Sequence, residues 1–394
     1  MHRSYRYPLY PTQAQAAVLL GWLRACAALY NGAIEERREA WRRQRRSVSY
    51  VDQTKSLTEV RAADPAWSLI PVEVTRSALR RLDRAMQAFF RRCKAGGARP
   101  GFPRFRAAAR YDSFSFQGPL RLDGARVMIP KLGGVKLKLY RPLRGRMLDV
   151  VVRREPTGRW WVTFQCDLGA APGAPVVVDL AEEQVVGLDV GLSTLAALST
   201  GELLANRRHG ARAAQVLARR QRELARKRKG SASRRRAARL VARAHAHVAN
   251  QRLDGARKLA VELYQRFDAV AVEDLTITRM VHGTLARSIH DASWGILVHA
   301  LACKAEEAGK LLVRVDPRGT SQRCSGCDAS VPKTLSVRVH ACPGCGLVLD
   351  RDVNAACNIK ILALGRSAAR PPATQPVTTE DLGSKRLTRA VFAT

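Results

Sequence analysis

The 394-residue chain carries 68 lysines and arginines against 33 aspartates and glutamates, a formal net charge of +35. A protein this cationic repels itself unless a polyanion neutralises it, so nucleic acid is the expected partner. Hydrophobic residues make up 46% of the chain, enough to bury two or three cores, which excludes an intrinsically disordered polypeptide.

The first elements predicted are a short strand and a long helix. The strand covers residues 5–10, and Thr12 with Gln15 forms a capping box at the start of the helix. The apolar stretch 16–23 is broken by Arg24 and is too short to span a bilayer. Helical periodicity continues through Tyr30, which favours an amphipathic helix over a signal peptide, so we expect no membrane anchor.

Helical, arginine-rich sequence continues to about Cys93, with Arg76 and Arg80 on the more exposed part of its last helix. A glycine- and proline-rich break at 95–103 ends it. Short alternating strands with turns between them then predict a small antiparallel barrel. These strands cover residues 113–116, 126–129, 134–139, 148–153 and 160–166. A linker at 170–175 closes this half.

From residue 185 the pattern becomes α/β, with a strand ending near Asp189, a basic helical hairpin to about Leu263 and a strand ending at Glu273. A helix at 293–307, a strand at 311–316, a cysteine-rich insertion and a helix at 353–361 follow. Residues 366–394 are aperiodic and rich in Ala, Pro and Thr, which predicts a disordered tail.

Three acids stand at the ends of these elements: Asp189, Glu273 and Asp352. Either strand acid alone would be read as an ordinary turn residue, but the three in this order have the layout of an RNase H-like fold. Converging there, they could hold two Mg²⁺ ions for phosphodiester hydrolysis. Asp350 is a rival to Asp352, which we prefer because it starts the helix. Asp274 should point to the opposite face of its strand.

The cysteines fall into two groups. Two Cys-x-x-Cys pairs, Cys324/Cys327 and Cys342/Cys345, have the spacing of a zinc ribbon with a closed, structural Zn²⁺ site. His340 is read as a bystander, since four thiolates suffice. The remaining five of the nine cysteines follow no pattern, which indicates a reducing, cytoplasmic setting: Cys26, Cys93, Cys166, Cys303 and Cys357.

The helical hairpin is the most basic segment of the chain. Fifteen lysines and arginines but only one acid, Glu223, lie between Arg207 and Arg243. So dense a charge predicts binding to a phosphate backbone without sequence preference. The densest clusters are Arg226-Lys227-Arg228-Lys229 and Arg234-Arg235-Arg236.

Taken together, these motifs resemble the TnpB family of transposon-encoded proteins, compact relatives of type V CRISPR effectors. The resemblance spans most of the chain and is most specific in its C-terminal half. The matching segments are residues 7–12 with Gln15, 30–31, 100–105, 187–191, 272–275, 320–324 and 350–359.

The resemblance implies an RNA-guided, Mg²⁺-dependent DNA endonuclease that binds a structured RNA from its own element and cuts DNA beside a short transposon-associated motif. It carries the catalytic metal ligands over to Asp189, Glu273 and Asp352, and it makes Arg76 and Arg80 candidate contacts to that motif or duplex. It also implies a division of the chain into a wedge-type β-barrel (1–10 and 106–170), a helical recognition lobe (11–105), a RuvC-like nuclease domain (180–319 and 347–365) and a zinc ribbon (320–346).

Two alternatives stay open. One is a nuclease-inactive, RNA-guided DNA binder or transposition regulator, against which the intact acid triad argues. The other is a nuclease or transposase that works without RNA, which the RuvC-like half alone could support. The sequence does not give the guide, the target motif, the cut positions or the oligomeric state. In every case we expect a prokaryotic cytoplasmic protein, associated with the nucleoid when it is bound to DNA.

Overall fold

The computed structural model describes residues 2–96, 100–169, 180–334 and 336–365. The chain divides into two compact units, Met1–Ala171 and Pro172–Thr394. The predicted tail at 366–394 and the whole of the predicted linker at 170–175 lie outside the described residues. Each unit is therefore described by itself.

In its described residues the first unit combines seven strands with four helices. Its strands are β1 (His2–Tyr10), β2 (Ser113–Gln117), β3 (Leu122–Asp123), β4 (Arg126–Ile129), β5 (Gly133–Leu137), β6 (Arg146–Arg154) and β7 (Trp160–Asp167). Its helices are α1 (Gln13–Gln44), α2 (Tyr50–Ala63), α3 (Pro65–Ser68) and α4 (Val72–Lys94), and a 3₁₀ turn covers Ala108–Arg110. The strands pair antiparallel in the order β2-β6-β7-β1-β5-β4-β3, so the helices enter the chain between two strands of one sheet.

Alternate residues of β1 and the inner faces of α1 and α4 share one core. Tyr5 and Tyr7 are buried with Leu19, Leu23 and Leu82. The predicted capping box is confirmed: the Thr12 hydroxyl accepts from the Gln15 N–H, and the Gln15 side chain accepts from the Thr12 N–H. Among the described residues α1 alone is long and apolar enough to cross a membrane. Leu19, Leu23 and other apolar side chains of this helix are buried in the core, whereas Val18 and Trp41 are exposed.

The part of the second unit that the structure describes contains seven further strands. They are β8 (Val185–Val190), β9 (Thr194–Leu198), β10 (Leu203–Ala205), β11 (Ala269–Glu273), β12 (Leu311–Val315), β13 (Val339–Ala341) and β14 (Val348–Asp350). A 3₁₀ turn, Glu182–Gln184, precedes β8. The helices are α5 (His209–Ala225), α6 (Ala232–Arg266), α7 (Ile277–Met280), α8 (Ala286–Ala292), α9 (Trp294–Ala308) and α10 (Arg351–Ala363).

A five-stranded mixed sheet forms the centre of this unit, in the order β10-β9-β8-β11-β12. β8, β11 and β12 run parallel, and β9 and β10 run antiparallel to their neighbours. Val186 and Leu188 face α6 and α9 on one side of the sheet. On the other side Ala271 packs with Ile359 of α10. The β13–β14 hairpin lies between β12 and α10 in the chain, so the cysteine module is an insertion.

Candidate metal centres

The sheet places two of the predicted acids side by side. β8 and β11 pair in parallel from Val185 with Ala269 to Leu188 with Val272, and the next residue of each strand is Asp189 and Glu273. The carboxyl ends of neighbouring parallel strands meet at the same edge of a sheet. Two acids far apart in the sequence therefore become neighbours.

Helix α10 brings the third acid to this edge by an unusually close approach to β8. A Cβ atom added to Gly187 would lie 1.9 Å from the carbonyl oxygen of Ala356, so glycine is the residue that permits the contact. Asp189 lies two residues beyond Gly187 on the same face of the strand. Asp352 lies one turn before Ala356 on the same face of the helix. The glycine contact therefore aligns Asp352 with Asp189.

The electrostatics of Asp189 show that this carboxylate interacts with the other two. Its pKa is raised well above the ordinary value, first by burial and then by the negative charges of Glu273 and Asp352. Burial also raises the pKa of Glu273, which the hydrogen bond from the Thr320 hydroxyl partly offsets. Like charges held together in a partly dry site disfavour ionisation unless a cation compensates them.

The pKa of Asp352 is raised as well. Burial, followed by the nearby charge of Asp350, raises its pKa, and Arg338 and Arg351 oppose the rise. Arg338 Nη1 lies 3.8 Å from Asp352 Oδ2, but its side chain is 56% exposed, so it compensates the buried acids poorly. The site thus holds an excess of negative charge in a protein of strongly positive net charge.

The three acids are spaced more widely than the four cysteines. Within the described ranges only the four cysteines bring three or more potential ligand atoms within 4.8 Å of one another, so the three carboxylates stand farther apart. Two Mg²⁺ ions about 3.5–4 Å apart, each with ligands at about 2.1 Å, accommodate ligands up to about 8 Å apart. The donor set, all carboxylate oxygen, also matches Mg²⁺.

The two neighbouring acids have other partners. Asp350 is the N-cap of α10, and its Oδ1 accepts from the N–H groups of Asp352 at 2.8 Å and Val353 at 3.2 Å. This cap orients the first turn of the helix, in which Asp352 lies. Asp274 pairs with Arg314 at 2.9 Å. Arg314 is the cross-strand partner of Val272, so the pair lies on the face opposite Glu273, where Asp274 is expected.

The four cysteines form a compact cluster whose sulfurs all lie within 4.8 Å of one another. The Sγ atoms of Cys324 and Cys345 are 3.6 Å apart, as are those of Cys327 and Cys342. A tetrahedral Zn²⁺ with Zn–S bonds of about 2.3 Å separates its sulfurs by about 3.8 Å. The cluster therefore fits a structural zinc.

His340 is buried but lies outside this cluster. Its Nδ1 atom contacts the Lys333 ammonium, and burial together with that positive charge lowers the pKa of His340 to about 4. These contacts agree with its reading as a bystander to the thiolates.

The predicted basic clusters lie in the turn between α5 and α6 and the first residues of α6. Among the described residues, the side chains of Arg226, Lys227, Arg228, Lys229 and Arg236 are exposed and make no ion pair. The two remaining arginines serve the turn itself. Arg234 Nη1 donates to the carbonyls of Leu224 and Lys227 at 2.9 Å, and Arg235 donates to that of Gly230.

Arg76 and Arg80 of the first unit are less available than the sequence predicts. Arg80 is only 14% exposed in its side chain and is held by Glu73 at 3.3 Å and Gln117 at 3.0 Å. Arg76 is 43% exposed and lies 3.5 Å from Glu73. The expectation that both lie on an exposed helix face is wrong for Arg80, because α4 packs this side chain against β2 and Glu73.

Several residues of the site had no role in the sequence analysis. Gly187 permits the helix contact, Thr320 donates to Glu273, and Asn354 and Asn358 are buried on α10. All four lie inside the segments that carry the TnpB resemblance. A buried asparagine in an otherwise apolar helix face is the one signal that could have been read directly, since it requires hydrogen-bond partners.

Comparison with protein-family models gives three matches. Residues 176–283 match a family described as "Probable transposase" (OrfB_IS605), and residues 294–359 match the "Cas12f1-like, TNB domain". Residues 1–46 match a "Helix-turn-helix domain" of the same transposase group. Within 2–44 the structure has one strand and one helix, so the last description does not correspond to the local fold.

Two curated relatives cover nearly the whole chain, and both bear the name "Putative RNA-guided DNA endonuclease". The one from Streptomyces pristinaespiralis is 37% identical over 379 residues, covering 93% of this chain and 90% of its own length. The other, InsQ of Escherichia coli (strain K12), is 28% identical and covers 93% and 92%.

A solved structure shows the same fold at low sequence identity. The cryo-EM structure of a Cas12f1–sgRNA–target DNA complex contains a chain that aligns with 89% of this chain and 83% of its own, with a TM-score of 0.56 and 13% identity. The alignment, the TNB-domain match and the four-cysteine cluster confirm the α+β class, with an inserted cysteine module that fits a zinc ribbon.

Proposed function

Because this chain belongs to the TnpB family, we propose that it is an RNA-guided DNA endonuclease encoded by a transposable element. The observation that carries the proposal is the convergence of Asp189, Glu273 and Asp352 at one edge of the sheet, with the pKa of each raised above its ordinary value. The names of the two long relatives support the same activity.

Asp189, Glu273 and Asp352 would hold two Mg²⁺ ions. When bound, the metal supplies an activated water and charge stabilisation of the leaving oxygen. Asp189 is partly buried, which limits the access of bulk water to this carboxylate. The Thr320 hydroxyl orients Glu273, and the Asp350 cap fixes the first turn of α10. The N-terminal end of that helix, where Asp352 lies, also carries a partial positive charge.

Guide RNA and double-stranded DNA are the proposed partners, and the +35 charge supports binding of both. Base pairing with the guide would select the sequence, and the protein would read duplex shape and a short target-adjacent motif. We assign the wedge barrel to 1–10 and 106–170, the recognition lobe to 11–105, the nuclease domain to 180–319 and 347–365, and the zinc ribbon to 320–346. The protein would act in the cytoplasm.

The first experiment is to express the gene with its native flanking DNA, purify the protein in high salt and sequence the bound RNA. A discrete RNA that starts at the 3′ end of the gene and runs into flanking sequence supports the proposal and supplies the guide. Random fragments would favour the nuclease that works without RNA.

Cleavage is then measured with that RNA, a matching target and Mg²⁺. Asp189→Ala, Glu273→Ala and Asp352→Ala should each abolish cleavage and retain RNA and DNA binding. Asp274→Ala is the matched control, because this acid adjoins Glu273 but faces away, and it should cut normally. An inactive wild-type protein that still binds its target would instead support the binder or transposition regulator.

A further inference from the structure

The segment 320–324 leads into the first cysteine pair. It contacts Glu273 and also helix α10, on which Asp352 lies. Thr320 is 2% exposed, and its hydroxyl donates to Oε1 of Glu273. Four residues later the same segment reaches Cys324, whose sulfur accepts from the Gly326 N–H at 3.4 Å. A continuous stretch of backbone thus connects the proposed zinc site with Glu273.

Two buried asparagines hold this segment against α10. Asn358 Nδ2 donates to the carbonyls of Thr320 and Arg323, each at 2.8 Å. Asn354 Nδ2 donates to the Arg323 carbonyl at 2.8 Å, and its Oδ1 accepts from the Ser325 N–H at 3.0 Å. Ser325 lies inside the Cys324–Cys327 pair. We call the residues 324–327 the zinc knuckle. The two amides therefore form hydrogen bonds with the zinc knuckle itself and with the segment that leads to it.

Both asparagine amides need these hydrogen bonds because their side chains are buried. Asn354 is 0% and Asn358 is 5% exposed, so an unpaired amide at either position would lose its solvation without compensation. Asn354 follows Asp352 by two residues in the first turns of the helix. The position of that end of α10 therefore depends on where the knuckle stands.

We propose that Thr320, Asn354 and Asn358 are positioning residues that couple the zinc knuckle to the nuclease acids, so that an ordered knuckle sets the divalent-metal affinity of the nuclease site. Thr320 acts on Glu273, and the two asparagines act on Asp352 through α10. The inference rests on the proposed function, since it assumes that these acids hold metal. It adds a role for the zinc beyond folding its own insert.

The test measures Mn²⁺ binding by electron paramagnetic resonance on the full-length protein, with zinc content measured in parallel. Asn354→Ala should weaken Mn²⁺ binding by about 10–100-fold, the usual effect of removing a partner that orients a metal ligand. Thr320→Val should do the same, and Thr320→Ser, which keeps the hydroxyl, should restore binding. Asn31→Ala is the control, because it removes an amide that makes two bonds to the Arg106 backbone in the other unit. Its Mn²⁺ affinity should equal that of wild type.

A double-mutant cycle separates coupling from general damage. Cys327→Ser removes a zinc ligand and should itself weaken Mn²⁺ binding. If the knuckle acts through Asn354, adding Asn354→Ala should have little further effect, whereas independent effects that multiply would overturn the proposal. Unchanged Mn²⁺ affinity in both Asn354→Ala and Thr320→Val would also overturn it. Equal Mn²⁺ binding by wild type and Asp352→Ala would reject the nuclease metal centre, and the positioning role with it.

Discussion

The contact between Gly187 and α10 gives the sharpest prediction. A methyl group at position 187 would lie 1.9 Å from the Ala356 oxygen and 2.8 Å from the Lys360 nitrogen, and both are backbone atoms that no side-chain rotation can move. Restoring a contact of 3.4 Å requires α10 to retreat by about 1.5 Å. Gly187→Ala therefore displaces the helix that carries Asp352.

Two magnitudes follow from this displacement. Overpacking a well-packed core costs about 1–3 kcal/mol, which lowers the melting temperature of a unit of this size by about 2–12 °C. A misplacement of about 1 Å in a catalytic group reduces the rate by about 100-fold. Cleavage should therefore be almost lost at temperatures where the variant remains folded.

Single-turnover cleavage with saturating guide RNA and target, together with thermal unfolding, measures both effects. Gly255→Ala is the matched control, because Gly255 lies within α6 with open space around its Cα. That change should raise stability by up to about 1 kcal/mol and leave the rate unaltered. If Gly187→Ala cuts DNA as fast as wild type, the close approach of α10 does not position Asp352, and the reasoning fails.

Three further predictions concern zinc, pH and salt. Cys324→Ser should release zinc, read by metal analysis, whereas Cys303→Ser, outside the cluster, should retain it. Since the pKa of Asp189 is raised, the metal-free folded protein holds more protons than the unfolded chain from about pH 4 up to that pKa, so its stability falls as pH rises through this window. In EDTA, Asp189→Asn should show a weaker decline in melting temperature; identical slopes would contradict the shift. Glutamine at four exposed positions should reduce the slope of log affinity against log salt by up to about 4, whereas Arg234→Gln should lower stability and leave the slope almost unchanged. The four positions are Arg226, Lys227, Arg228 and Lys229.

The positions of the acids and cysteines could be predicted because short sequence patterns indicate them. Asp189 and Glu273 each end an apolar run, and the cysteines come in pairs whose separation suits one tetrahedral ion. The α+β class followed from the change between short alternating strands with turns between them and apolar strands that alternate with helices. Each of these patterns is contained within a few tens of residues, so a single sequence displays it.

The uses of individual arginines could not be predicted, because they depend on partners supplied by the fold. Arg80 and Arg234 have the same sequence surroundings as freely exposed arginines, yet the first is held by Glu73 and Gln117 and the second closes the turn after α5. Charge density predicts that a segment meets a polyanion, and it does not identify which guanidinium groups remain free to do so.

The roles of the two asparagines of α10 likewise depend on partners that the fold supplies, so the sequence alone does not reveal them. Asp352 is recognisable from its place at a helix start, but a helix start has no fixed position until something holds it. Gly187 fixes the distance of α10 from β8, and Asn354 and Asn358 fix its relation to the cysteine knuckle. Because the Thr320 segment also holds Glu273, a displacement of the knuckle would move two of the three acids together. The zinc insertion is thus better understood as part of the frame of the nuclease site than as a separate module attached to it.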